Sequence, residues 1–194
     1  MNAESQEAGS TGIVAVPPAN LFAARDVEGI LRERGWLAAG AGESQDENAH
    51  LTAEWLERAA TLLGPHAATR DALCDLLGLI FTYDAGAILQ TTAAQAVIAR
   101  AGSREVIREL AKRVLGGPAI DSDRFKSLIE ELKAATRYRS RELFHPIRLA
   151  LAGRSGEGEL DRVILLLDPA AALPFVTPVK GTRRRMLEFC AALD

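Results

Sequence analysis

Six basic residues, Lys133, Arg137, Arg139, Arg141, Arg148 and Arg154, fall in one stretch whose only acidic residue is Glu142. Guanidinium groups pair bidentately with phosphate and stack on nucleobases, and Tyr138 stands among them as a platform for an unstacked base. This is chemistry suited to a nucleic-acid loop, where phosphates are dense and bases splay out. A second cluster, Lys180, Arg183, Arg184 and Arg185, meets the first if the helices carrying them pack back on each other. The competing explanation is that basic residues near helix ends serve the helix dipole and solubility. A formal net charge of −3 argues against a generic, strongly basic nucleic-acid binder, so binding through these arginines would have to be local.

Charge is also uneven along the chain. Residues 1–60 hold four Lys/Arg against ten Asp/Glu, and residues 61–194 hold nineteen against sixteen. Other chemistries find little footing. His50, His66 and His145 have no partner at helical spacing that would make a metal pair. Cys74 and Cys190 sit on apolar faces and read as buried free thiols rather than a disulfide or a nucleophile. The glycine cluster Gly153–Gly158 is followed by Glu159 and lacks the Lys-Ser/Thr of a phosphate-cradling loop. The chain is therefore expected to need no cofactor or metal and to catalyse nothing by itself.

The elements that must position these side chains read as helices. With 194 residues, 48% hydrophobic and 25% charged, the chain can bury a core as one domain or two small ones. No apolar run approaches a membrane span, and Glu4 and Glu7 without a basic segment do not make a signal peptide, so a cytoplasmic protein is expected. Asp26 caps a first helix to about Ala38, Thr52 a second through Leu63, and Gly64-Pro65 stops it. Thr69 opens a third, on which Leu73, Leu76, Leu77, Ile80 and Phe81 share a face. A weaker helix covers about 85–101, Ser103 caps one to Leu115, and Asp121 or Ser122 opens another bearing Phe125, Leu128, Ile129 and Leu132. Pro146 belongs in the first turn of the next helix, which makes Leu143–His145 a break, and Gly153 stops it. Leu160–Leu167 is a further apolar helix, and Asp168–Lys180 an irregular connection. Thr182 caps a last helix whose apolar face carries Met186, Leu187, Cys190 and Leu193. No stretch alternates as a strand would. The fold class is all-α.

The run Leu143, Phe144, Pro146, Arg148, Ala150, Leu151 and Gly153, then a short loop and a leucine-rich helix, resembles the C-terminal anticodon-binding region of bacterial glutamyl-tRNA synthetases. The order of helices from about His50 onward is similar as well. The resemblance implies two small helical subdomains like the anticodon-binding helical domain of these class I enzymes. Their expected bounds are 13–83 and 84–194, after a flexible tail over 1–12. It implies tRNA as partner, glutamate tRNA first among candidates, and a synthetase catalytic subunit as a second partner. Combined with the basic clusters, it points to Arg137, Tyr138, Arg139, Arg141, Arg148, Arg154, Glu157, Lys180 and Arg183 as tRNA-binding residues. Arg148 lies at the anticodon surface in that reading, though it could equally pin the Ser155–Gly158 loop. The sequence departs from the family in Ala152, where threonine is usual, and in Glu157-Gly158-Glu159-Leu160, where the family has Ser/Thr-Pro-Gly-Leu. The His-x-Gly-His and Lys-x-Ser-Lys motifs of adenylate formation are not in the sequence. A non-catalytic tRNA-binding module is the leading expectation. A protein-interaction module derived from a synthetase domain, or a fragment of a full glutamate-tRNA ligase, are the rivals.

Overall fold

The structure, a computed structural model, describes residues 20–38 and 47–193. The expected tail over 1–12, the lead-in Val14–Pro18 and most of the acidic loop 40–48 lie outside these residues. Among the described residues every regular element is helical, as an all-α chain requires.

Helix α1 (Ala24–Glu33) and α2 (Glu47–Leu63) pack together, and a 3₁₀ turn at Gly64–His66 ends α2. Asp26 sits inside the first turn rather than at the cap, where its carboxylate accepts from Ala23 N at 2.8 Å. α1 then stops at Glu33, short of Ala38. Thr52 likewise lies inside α2, and its hydroxyl donates to Asn48 O at 2.7 Å. Both errors share a cause: Thr and Asp satisfy local backbone groups within a helical turn as well as at its start. Helix α3 (Arg70–Phe81) begins where expected, with the Thr69 hydroxyl accepting from Ala72 N at 3.1 Å.

The weak helix expected over 85–101 is two short ones, α4 (Ala85–Leu89) and α5 (Thr92–Ile98), parted at Gln90-Thr91 because Thr91 caps the second. Helix α6 (Ser103–Gly116) starts from Gly102, which holds the left-handed conformation at φ 88°. Ser103 is the first helical residue and its hydroxyl donates back to Val97 O, so it ties α6 to α5 rather than capping. Helix α7 (Ser122–Ala135) is capped by Asp121.

Helix α8 (Ser140–Ala152) and α9 (Glu159–Ala171) form the centre. Pro146 is not in the first turn: α8 begins six residues earlier and runs through the proline. The missing N–H leaves only the carbonyl of Glu142, in the exposed first turn, without its helical donor. Gly153 ends α8 with φ 80°, as a left-handed C-terminal glycine should. α9 likewise continues past Leu167 through Pro169, so the irregular connection begins only after Ala171. It is buried nearly all round by α2, α3, α8 and α10 (Thr182–Leu193), which explains five consecutive apolar positions from Val163 to Leu167.

Thr182 is the first residue of α10, and the carboxylate that caps it comes from α9. Asp168 accepts from Thr182 N and from Ile120 N, each at 2.7 Å, and from the Thr182 hydroxyl. One negative charge thus serves a helix N-terminus and the loop before α7. The inward face of α10 is Thr182, Arg185, Met186 and Phe189; Leu187, expected inside, is 51% exposed. Cys74 is buried and Cys190 half-buried, and neither is in a disulfide.

The buried side chains make one continuous cluster. Leu143, Ile147, Leu151, Leu160, Val163, Ile164 and Leu167 are each fully buried within it. Leu151→Ala is accordingly expected to cost about 2–5 kcal/mol, read as a lower urea midpoint at constant slope. An unchanged midpoint would show that this cluster does not hold the fold.

Candidate nucleic-acid interface

Between α7 and α8 the chain leaves the helix, extended at Thr136 and at Arg139 with a bend at Arg137, and burial alternates from residue to residue. Thr136 and Tyr138 are buried while Arg137 and Arg139 are exposed. Ser140 then turns the chain at φ 47°, an uncommon conformation for a residue with a Cβ, and Arg141 emerges on the first turn of α8. Three arginines are presented outward within five residues. Arg137 lies 5.5 Å from the Tyr138 ring centre, Arg139 donates to the carbonyls of Thr136 and Tyr138, and Arg141 stands 3.5 Å from Glu157.

Tyr138 is turned inward. It is 7% exposed, its hydroxyl donates to Glu105 at 3.0 Å, and its ring fills the space beside Gly102, where any Cβ would collide with it. The alternation that turns the arginines out turns the tyrosine in.

Arg148 is also buried, at 8% exposure. Its Nε and Nη2 donate to the two oxygens of Asp161, at 2.7 and 2.8 Å, and its Nη1 donates to Gly156 O at 2.6 Å. The Phe144 ring covers the guanidinium at 4.9 Å. Each of its three nitrogens therefore donates to an acceptor, and the residue pins the loop between α8 and α9. That loop carries Arg154 and Glu157 outward, both exposed, and Arg154 has no ion pair among the described residues. Asp161 gave no signal in the sequence, because the pairing crosses thirteen residues and a loop.

The side chains of the second basic cluster are mostly committed within the protein. Arg185 is fully buried, and Lys180 and Arg184 both bind Glu188 at 2.7 Å. Burial raises the Glu188 carboxyl, but these two cations outweigh it and hold the group below its ordinary range. Lys180 also lies 6.0 Å from the Tyr83 ring centre. Arg183 is exposed beside a cavity of about 350 Å³ lined by Pro118, Asp168 and Thr182. Arg185 reaches Leu151 O at the far end of α8 from Arg141, and ten residues of helix separate those positions by about 15 Å. Among the described residues no group of three His, Cys, Asp or Glu side chains could hold a metal ion, and no helix is long and apolar enough to cross a membrane.

Fold and surface together define an all-helical module that offers arginines and a pinned, polar loop on one side of its central helix pair. The family model of the anticodon binding domain matches residues 32–173, about three quarters of the chain, and the protein belongs to that family. The match takes in α2 through α9, with the arginine segment and the loop inside it. Searches of curated proteins and of solved structures return no match.

Proposed function

We propose that this protein binds tRNA through the outward arginines of the α7–α8 segment and the α8–α9 loop, and performs no aminoacylation by itself. The observation that carries the reading is the segment Thr136–Arg141, where alternating burial turns Arg137 and Arg139 to solvent and the first turn of α8 presents Arg141 beside the loop that Arg148 pins. Arg154 and Glu157 belong to the same contact surface. Tyr138 and Arg148 act as positioning residues beneath it, and Lys180 and Arg183 lie at its periphery. Membership of the anticodon binding domain family supports an anticodon loop as the ligand. The resemblance around Leu143–Gly153 supports glutamate tRNA as the first tRNA to test, with a synthetase catalytic unit as the partner that supplies chemistry.

A tRNA titration at several salt concentrations tests this. Each phosphate contact in single-stranded RNA contributes roughly 0.7 to the slope of log affinity against log salt. Arg139→Ala with Arg141→Ala is expected to flatten the slope by about 1.4 with little change in melting temperature, since both side chains are exposed. Glu157→Gln is expected to tighten binding modestly, because it removes a carboxylate that repels phosphate and engages Arg141. No binding at low salt would discard the RNA reading and leave a protein-interaction module in its place.

A further inference from the structure

Beside the α8–α9 loop, Arg100 and His145 meet across the gap between α5 and α8. Arg100 Nη1 lies 3.2 Å from His145 Nδ1. A guanidinium can only donate, so Nδ1 must accept and the ring's proton must sit on Nε2. That nitrogen is buried with no hydrogen-bond partner, the one such side-chain atom among the described residues. The pair is thus frustrated on both sides: a cation rests on a neutral imidazole, and an N–H points at nothing.

The surroundings explain why no anion of the protein relieves it. The charged groups facing His145 are Arg100 from the end of α5, Arg141 and Arg148 from α8, and Glu157 from the loop. Arg148 is neutralised by Asp161, and Glu157 lies 3.5 Å from Arg141. Arg100 has no carboxylate within ion-pair distance among the described residues. Burial first, and then these three arginines, push the imidazole below its ordinary range, with Glu157 opposing.

Resting on the tRNA reading above, we propose that Arg100, with Arg141 and His145, forms a phosphate-binding site that takes one backbone phosphate of the bound RNA. Arg100 comes from 41 residues before Arg141 and extends the contact surface from α8 onto α5. When a phosphate oxygen accepts from Arg100, the guanidinium leaves Nδ1, and the added negative charge favours an imidazolium that donates from Nδ1 to the same phosphate. The proton comes from solvent. His145 is below its ordinary range in the free protein and raised in the complex, so binding takes up a proton, and affinity rises as pH falls through the interval between the two values.

The test is a tRNA titration of wild type, Arg100→Ala, Arg100→Lys and His145→Gln, across salt at pH 7.5 and across pH from 8 to 5.5. Arg100→Ala should reduce the salt slope by about 0.7, which at 0.1 M salt is roughly a fivefold loss of affinity. Arg100→Lys should keep the slope. His145→Gln should abolish a gain of about three- to tenfold that wild type shows on acidification, a change that a merely structural residue would not make. Melting temperatures of the four proteins show whether each remains folded. If wild type binds tRNA but Arg100→Ala has the same affinity and slope, this site is refuted while the tRNA reading stands. If wild type itself fails to bind at low salt, both fall.

Discussion

Replacing Arg185 with Met is expected to lower the free energy of unfolding by about 3–5 kcal/mol, because it strips two buried carbonyls and one partly buried one of their donor at once. Arg185 is fully buried and has no carboxylate within ion-pair distance among the described residues. Its Nη1 donates to Leu151 O at 2.8 Å, its Nη2 to Ile80 O at 2.6 Å and its Nε to Lys180 O at 2.8 Å. Leu151 and Ile80 belong to the last turns of α8 and α3, where carbonyls have no helical partner and the helix dipole is negative. One guanidinium therefore closes two helices and fixes the loop that leads into α10. The Tyr83 ring lies 4.5 Å from it, and the Tyr83 hydroxyl donates to Ala150 O at 2.6 Å. Burial pushes the Tyr83 phenol well above its ordinary range and brings Arg185 down to about 10.

That value fixes the pH behaviour. The folded-state value of Arg185 is depressed, so protonation favours the unfolded chain as pH falls from the ordinary arginine range to about 10, and adds no further change below it. Arg185→Met should accordingly show the same deficit at every pH from 5 to 9. Arg185→Lys keeps the charge but not the planar fork that reaches three directions, and should recover only part of the loss. Chemical denaturation at pH 7 measures all three proteins. A wild-type midpoint for Arg185→Met would mean that the carbonyls find water or one another, and that the arginine is dispensable.

Nothing in the sequence marked Arg185 as different from Arg183 and Arg184, which are exposed on the same turn. Three consecutive arginines look like a solvated run, and helical phase alone could not say which of them the chain buries. The helices themselves were legible where period and stop signals agreed, as in α3 between Thr69 and Phe81, or α7 from Asp121. They were misread where a residue does local work that mimics a boundary. Thr52, Ser103 and Thr182 all look like caps, yet two bond to carbonyls behind them and the third is itself capped by Asp168. Pro146 and Pro169 look like breaks, yet packing on both sides of α8 and α9 outweighs one lost hydrogen bond each. Of the candidate site, the outward arginines at Arg137, Arg139 and Arg141 were legible as a cluster. The inward turn of Tyr138 was not, because it follows from a short non-helical segment in a chain whose other periods are helical. Arg100 and Asp161 were invisible for a different reason, since each reaches the site only through a tertiary crossing.

The sharpest separation between anchoring and contact is expected at Arg148. Arg148→Ala should cost about 2–4 kcal/mol, less than Arg185, because Asp161 is 20% exposed at its side chain and water can partly replace the lost guanidinium. A cycle with Asp161→Asn should give a coupling energy of about 1–3 kcal/mol, since two parallel bonds at 2.7 and 2.8 Å join the pair under the Phe144 ring. The same variants distinguish two roles in tRNA binding. If Arg148 only pins the loop through Gly156 O, its removal should lower tRNA affinity while leaving the salt slope of wild type, because no phosphate contact is lost. Asp161→Asn should then weaken binding in the same direction, by loosening the same loop. If Arg148 itself contacts phosphate, Arg148→Ala should cut the slope by about 0.7, and Asp161→Asn should strengthen binding by freeing the guanidinium. The three hydrogen bonds, one from each nitrogen, favour the first outcome. Opposite signs for the two variants would show that the clamp opens when RNA binds.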